Sequence, residues 1–253
     1  MKKLIITTII LLSISYVFSQ ESERNNASFS LGDGISFSFN EGDYEFNIYG
    51  FIKPTYIYND EKIYTADGEY SNVFRQFKSQ NSNLFFTGFA KDEKLSFTIQ
   101  MDYSSSNPLV EAFIGYHFNE NTTLYFGQMQ VNHNNLEMTH NEDRLRFNDR
   151  GILSRTYTNN GEEFGLFFET SFGNQFVVNP TLAVTSGDGK NSFGEDSRDS
   201  DKGGVKFGSR INILPFGDFS IGNRLSTVDL MHEEKPKVQI GVAYSKNIGA
   251  SNQ

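Results

Sequence analysis

Between residues 94 and 104 the chain reads KLSFTIQMDYS. Leu95, Phe97, Ile99, Met101 and Tyr103 alternate there with Lys94, Ser96, Thr98, Gln100 and Asp102. A strict two-residue period marks a β-strand with one apolar and one polar face. The alternation recurs at Phe176, Val178, Leu182 and Val184, at Val205, Phe207, Ile211 and Ile213, and at Val238, Ile240, Val242 and Tyr244. The pattern predicts ten strands, at 44–58, 73–91, 94–104, 108–118, 121–131, 163–173, 175–186, 203–214, 218–225 and 236–247. Most have the about 9–11 residues that a tilted strand needs to cross a bilayer, not the about 5–6 usual in soluble sheets.

The predicted connections alternate in length. Those at 91–94, 119–121, 173–175 and 215–218 are short, whereas 59–72, 132–162, 187–202 and 226–235 are long, and only 104–108 breaks the rule by being brief. One tight rim and one elaborate rim are expected of an outer-membrane barrel, with both ends of the barrel-forming segment on the tight, periplasmic side. The expected fold class is therefore all-β, an antiparallel transmembrane β-barrel whose apolar faces meet lipid. A soluble β-sandwich is the competing arrangement.

The opening MKKLIITTIILLSISYVFS has two lysines, an apolar run and the small residue Ser19 with Val17 two before it, which reads as a signal peptide over 1–19 cleaved before Gln20. Residues 20–42 read as a polar periplasmic lead-in with a short strand at ISFSF, and 43–253 as the barrel. Export to a Gram-negative outer membrane follows. The chain has no cysteine, which excludes disulfides, thiol chemistry, cysteine-ligated zinc and a lipidated-cysteine anchor. A mean hydropathy of −0.45 argues against a helical membrane protein but not against a barrel, where averaging erases an alternating signal. With a net charge of −9 and no basic patch, a nucleic-acid partner is not expected.

Several stretches together resemble the phosphate-selective porin O and P family: LFFTGFAKDEKLSFTIQMDYS, AFIGYHFNENTTLYFGQMQVN, RFNDRG, EFGLFFETSFG, SGDGKNS, LPFGDF and KPKVQIGVAYSKN, in this order over roughly residues 44 to 247. The resemblance implies a trimeric outer-membrane channel of about sixteen strands. The ten visible here are then the first part of such a barrel, or else a small closed one. The function expected is passive diffusion of small hydrophilic solutes or of anions such as phosphate, with weak anion selectivity. The partners are outer-membrane lipid, the solutes and a homotrimeric assembly; no catalysis, cofactor or metal is expected. The alternative is a closed barrel with a structural or adhesive role carried by its outer loops.

The chain departs from the family where basic residues are common. QNSN, Gln80 to Asn83, stands before the L-x-F-x-G pattern, and Gln130 and Asn132 follow the GQ of the fifth strand. Amides bond hydrated solutes but supply no net field, so these positions favour neutral or weakly charged solutes. The pore-lining candidates are Asn81, Asn83, Glu111, Gln130, Glu169, Lys206 and Arg210. The longest connection, 132–162, is read either as a constriction folded into the lumen, with Arg144, Arg146, Asp149 and Arg150 as its charged candidates, or as a solvated outer loop. Asp188, Asp196, Asp199 and Asp201 are hard oxygen donors, but their spacing fails the EF-hand pattern and a plain outer loop fits better. Asp229 and His232 could pair as a water-activating dyad, a minor reading.

Overall fold

The computed structural model describes residues 25–90, 93–133, 135–147, 149–158, 161–191 and 204–250. The predicted signal peptide lies outside them. Among the described residues thirteen strands form: β1 (Asn26–Ser30), β2 (Gly34–Phe39), β3 (Tyr44–Gly50), β4 (Pro54–Thr65), β5 (Gly68–Ser79), β6 (Asn83–Ala90), β7 (Leu95–Asp102), β8 (Leu109–Asn119), β9 (Thr122–Gln130), β10 (Glu162–Thr170), β11 (Val177–Thr185), β12 (Val205–Leu214) and β13 (Ile240–Ile248). One short helix, α1 (Ile152–Tyr157), lies in the β9–β10 connection. Among the described residues no helix is long and apolar enough to cross a membrane.

Eleven strands make one antiparallel sheet in the order β1-β2-β3-β6-β7-β8-β9-β10-β11-β12-β13, and β4 and β5 pair separately as a hairpin. The architecture is an up-and-down meander in which each strand pairs with its successor, apart from that hairpin. β1 and β13 are the edges, and no pairing joins them among the described residues. The fold is thus all-β and antiparallel, as the alternation predicts.

Several parts of the prediction are corrected. The predicted strands 44–58 and 73–91 each break in two, at 51–53 and at 80–82, where the hairpin leaves the main sheet. Residues 26–39, assigned to a lead-in with one short strand, supply two strands of the main sheet, β1 and β2. The predicted loop 59–72 is the far half of the β4–β5 hairpin, paired from Pro54↔Ser79 to Thr65↔Gly68. It extends the β3–β6 ribbon through Phe51 N–H to Asn83 O (2.9 Å) and Gln80 N–H to Lys53 O (3.1 Å). The predicted strand 218–225 does not form. β12 pairs directly with β13, and the irregular segment 215–239 between them is a long connection on the otherwise tight rim. DFSIGNRL carries Gly222 and Asn223 in mid-run and has no sustained two-residue period, so ladder pairing loses to local turns.

The two faces of the sheet are inverted relative to a soluble domain. One face presents Ile99, Ile114, Phe126, Leu166, Leu182, Phe207, Ile211 and Val242, all exposed. The other carries Asn83, Thr123, Glu163, Thr185 and Arg210, all buried. Among the described residues few apolar side chains are buried: Val131, Phe167 and Ala183 cluster with Tyr125 and Met129 against them, and Val177, Leu214 and Ala250 lie outside that cluster, far less than a soluble chain of this length buries.

Candidate functional site

Polar-face side chains from β6 to β12 line one cavity of about 980 Å³, so the sheet curves around its polar face. The lining extends from Asn81 and Glu142 near one rim to Glu120, Asn121 and Ser171 near the other. Two connections enter it. From one rim comes 131–161, closed at its base by Val131 N–H to Gly161 O (3.0 Å). From the other comes the segment 215–239.

The two segments meet inside. Asn141 N–H bonds Leu225 O (3.0 Å), Thr227 N–H bonds Arg144 O (3.1 Å), and Arg144 Nη1 donates to Gly222 O (3.0 Å). The lower segment is organised by the buried side chain of Asn223. It donates to Asp229 (2.7 Å) and Glu233 (3.0 Å) and accepts from the N–H groups of Leu230 (2.9 Å) and Met231 (3.1 Å). Asp229 also accepts from Glu233 N–H, and these bonds hold its carboxyl below the usual range. Asp229 thereby holds the turn around Asn223.

The upper segment is held by Glu137 and Arg150. Glu137 accepts from the Ser154 hydroxyl and from Gly151 N–H (2.9 Å), and both bonds lower its pKa. Arg150 pairs with Glu142 (2.9 Å) and donates to the carbonyls of Glu137 and His140. Charge-assisted bonds of this kind are the strong ones. The strand prediction at 121–131 and the loop prediction at 132–162 hold almost to the residue, and Leu136, His140, Glu142 and Arg150 of that connection line the cavity.

Of the sequence-predicted pore residues, Asn81, Asn83, Glu111, Gln130, Glu169 and Arg210 line the cavity. Asn81 donates to Glu142 (3.2 Å), Asn83 accepts from Gln100 (3.3 Å), Glu111 accepts from Gln130 N–H (2.8 Å), and Arg210 Nε donates to Asn212 (2.6 Å). Lys206 is corrected. It does not line the cavity but pairs with the fully buried Glu163 at 2.6 Å, which also accepts from the Thr185 hydroxyl. Among the loop candidates Arg144 and Arg150 line the cavity, whereas Arg146 stacks over Phe147 (5.7 Å) and Asp149 accepts from Gln80 (2.5 Å) outside the lining.

The sequence reading missed Arg224 and Asp218, paired at 2.6 Å, because the pattern predicts a strand over 218–225. It also missed Glu162, which lines the cavity at the end of β10, where the alternation offers no guide. Asp196, Asp199 and Asp201 lie outside the described residues. No cluster suited to a metal occurs among the described ones.

The acidic lining groups are Asp102, Glu111, Glu120, Glu142, Glu162, Glu169 and Asp218; the basic ones are Arg144, Arg150, Lys190, Arg210 and Arg224. The two signs are close to balance, so the wall has no strong field for either kind of ion. Amides and aromatic rings occupy much of the rest, including Asn132, Asn179, Asn212, Phe85, Phe113 and Tyr125. Compared with family models the chain matches none, and a search of curated proteins finds no match.

Proposed function

We propose that the chain is an outer-membrane, porin-like channel that passes small neutral or weakly charged hydrophilic solutes by diffusion. The observation that carries the reading is the inversion of the sheet. Apolar side chains cover its outer face, while charges and amides line a cavity whose walls reach both rims. Such a sheet suits lipid outside and water inside. The main-sheet strands from β6 to β13 have 8 to 11 residues, close to the bilayer-crossing length. The resemblance to porins O and P points the same way, and a transmembrane barrel and a homotrimer belong to the same proposal. The near-balanced wall favours neutral solutes over the phosphate selectivity typical of that family.

The chain contains no cysteine, which makes the test clean. Single cysteines at Leu182 and Thr181 face opposite sides of β11. In membranes, a small water-soluble thiol reagent should label T181C and leave L182C untouched. Purified protein added to a planar bilayer should give discrete conductance steps. Labelling of both positions together with a silent bilayer would overturn the reading. A second reading, a surface-binding role, draws on the β4–β5 hairpin, which stands clear of the sheet with Tyr56, Tyr64 and Phe77 exposed. Deleting the hairpin should abolish such binding and spare the conductance.

A further inference from the structure

The cavity wall carries an aromatic patch next to a carboxylate that has no partner. Four rings follow one another across the patch. Phe113 packs edge to face on Tyr125 (5.5 Å), Tyr125 on His117 (6.3 Å), and Phe89 lies against His117 (6.4 Å). All four line the cavity, and each keeps part of its surface exposed, 39% in Phe89. The hydroxyls of Ser96 and Thr123 hold the His117 ring, each 2.9 Å from one of its nitrogens.

The ladder sets Glu169 beside this patch. Thr123 stands directly opposite His117 on one side and directly opposite Glu169 on the other. Tyr125, two residues along β9, is therefore a diagonal neighbour of Glu169, a spacing that long side chains span. The carboxylate acts electrostatically on the Tyr125 phenol. Glu169 also lines the cavity and is only partly buried. It makes no hydrogen bond or ion pair with the described residues.

The arginines that could neutralise it are engaged elsewhere. Arg210, in the same row through Thr181, bonds Asn212 (2.6 Å) and turns toward Gly241 on β13. Arg224 pairs with Asp218 (2.6 Å). Glu120, at the same mouth of the cavity, adds a second negative charge.

A carboxylate beside ring faces is the chemistry that holds an alkylated ammonium ion. The rings attract a cation through their quadrupoles and cover its methyl groups, while the carboxylate supplies the countercharge. A metal ion would need several oxygen ligands, and no such cluster occurs among the described residues. An anion would be repelled. We infer that Glu169, Tyr125, His117 and Phe89 form a binding site for an organic cation of the alkylammonium type, at the tight-rim mouth of the cavity. This inference rests on the channel reading above and specifies one weakly charged class of solute.

The test uses the full chain in planar bilayers, with choline, its uncharged isostere neohexanol, and inorganic phosphate as probes. Choline should reduce the open potassium current at concentrations well below those that the other two require. E169Q keeps the size of the side chain and should raise the half-blocking concentration of choline by about tenfold, or about 1.4 kcal/mol. Y125L, which removes the ring face and keeps an apolar side chain, should raise it by a smaller factor. Equal block by choline and neohexanol, or a choline block unchanged in E169Q, would overturn the cation site and leave the channel standing. If no current appears, the channel reading falls. Calorimetric titration of choline into the detergent-solubilised protein then decides the site. Binding weakened by E169Q upholds it, whereas no binding, or binding that E169Q leaves intact, removes it.

Discussion

The imidazole of His133 stands where a side chain on residue 208 would have to stand. Gly208 is inward-facing on β12, and a Cβ built there would run into His133 Nδ1. The inward loop is therefore seated on the sheet by a ring fitted over a glycine. G208A should cost about 1–3 kcal/mol by overpacking. Most of that loss should be recovered in G208A/H133A, which denaturant titration of the four proteins in a double-mutant cycle would reveal.

Lys206 and Glu163 form a buried pair, 2.6 Å apart, with Glu163 wholly out of solvent. K206M strands that carboxylate and should destabilise the protein by about 3–5 kcal/mol, whereas K206M/E163Q should recover much of the loss. Unfolding midpoints in detergent would measure both.

The seating of His133 should depend on pH. Burial, with some help from Lys206 and against the pull of Glu163, lowers its pKa from 6.5 to about 4. The folded state therefore holds a neutral ring where the unfolded state would be protonated. Its contribution is fully present above about pH 6.5 and is lost as pH falls toward 4. His140, also lowered, adds in the same sense, as does Glu137, whose carboxylate bonds vanish on protonation. Limited proteolysis within 135–158 should accelerate between pH 6.5 and 4, and H133Q should show a shallower pH dependence.

Arg150 bonds Glu142 and two carbonyls with one planar fork. Lysine cannot reproduce that geometry. R150K should loosen the inward segment and raise its proteolysis rate by about tenfold, the effect of losing one charge-assisted bond of about 1.5 kcal/mol. Channel recordings of the same variant should show a noisier open state.

Leu182 lies on the exposed apolar face of β11, between Thr181 and Ala183 on the polar face. L182R should cost about 2–4 kcal/mol if that face meets the bilayer midplane. T181R, which points into the cavity, should cost far less. Folding yields in lipid vesicles would compare the two.

The sequence by itself determined the strand faces. A period of two admits one assignment of side chains to each face, so Leu95, Phe97 and Ile99 had to lie together, and Asn83, Glu111, Glu169 and Arg210 opposite them. Tertiary structure decided everything the period does not encode. Whether 132–162 folds inward depends on Glu137, Glu142 and Arg150 meeting across many residues, and on the space above Gly208. Whether 218–225 joins the sheet depends on competition between ladder bonds and the turn around Asn223, which also draws in Asp229 and Glu233. The inward face of β12 shows the division most plainly. Alternation placed Lys206 and Arg210 on one face, but only packing buried the first against Glu163 and left the second on the cavity wall. Periodicity is a property of neighbours along the chain, while burial and pairing belong to neighbours in space.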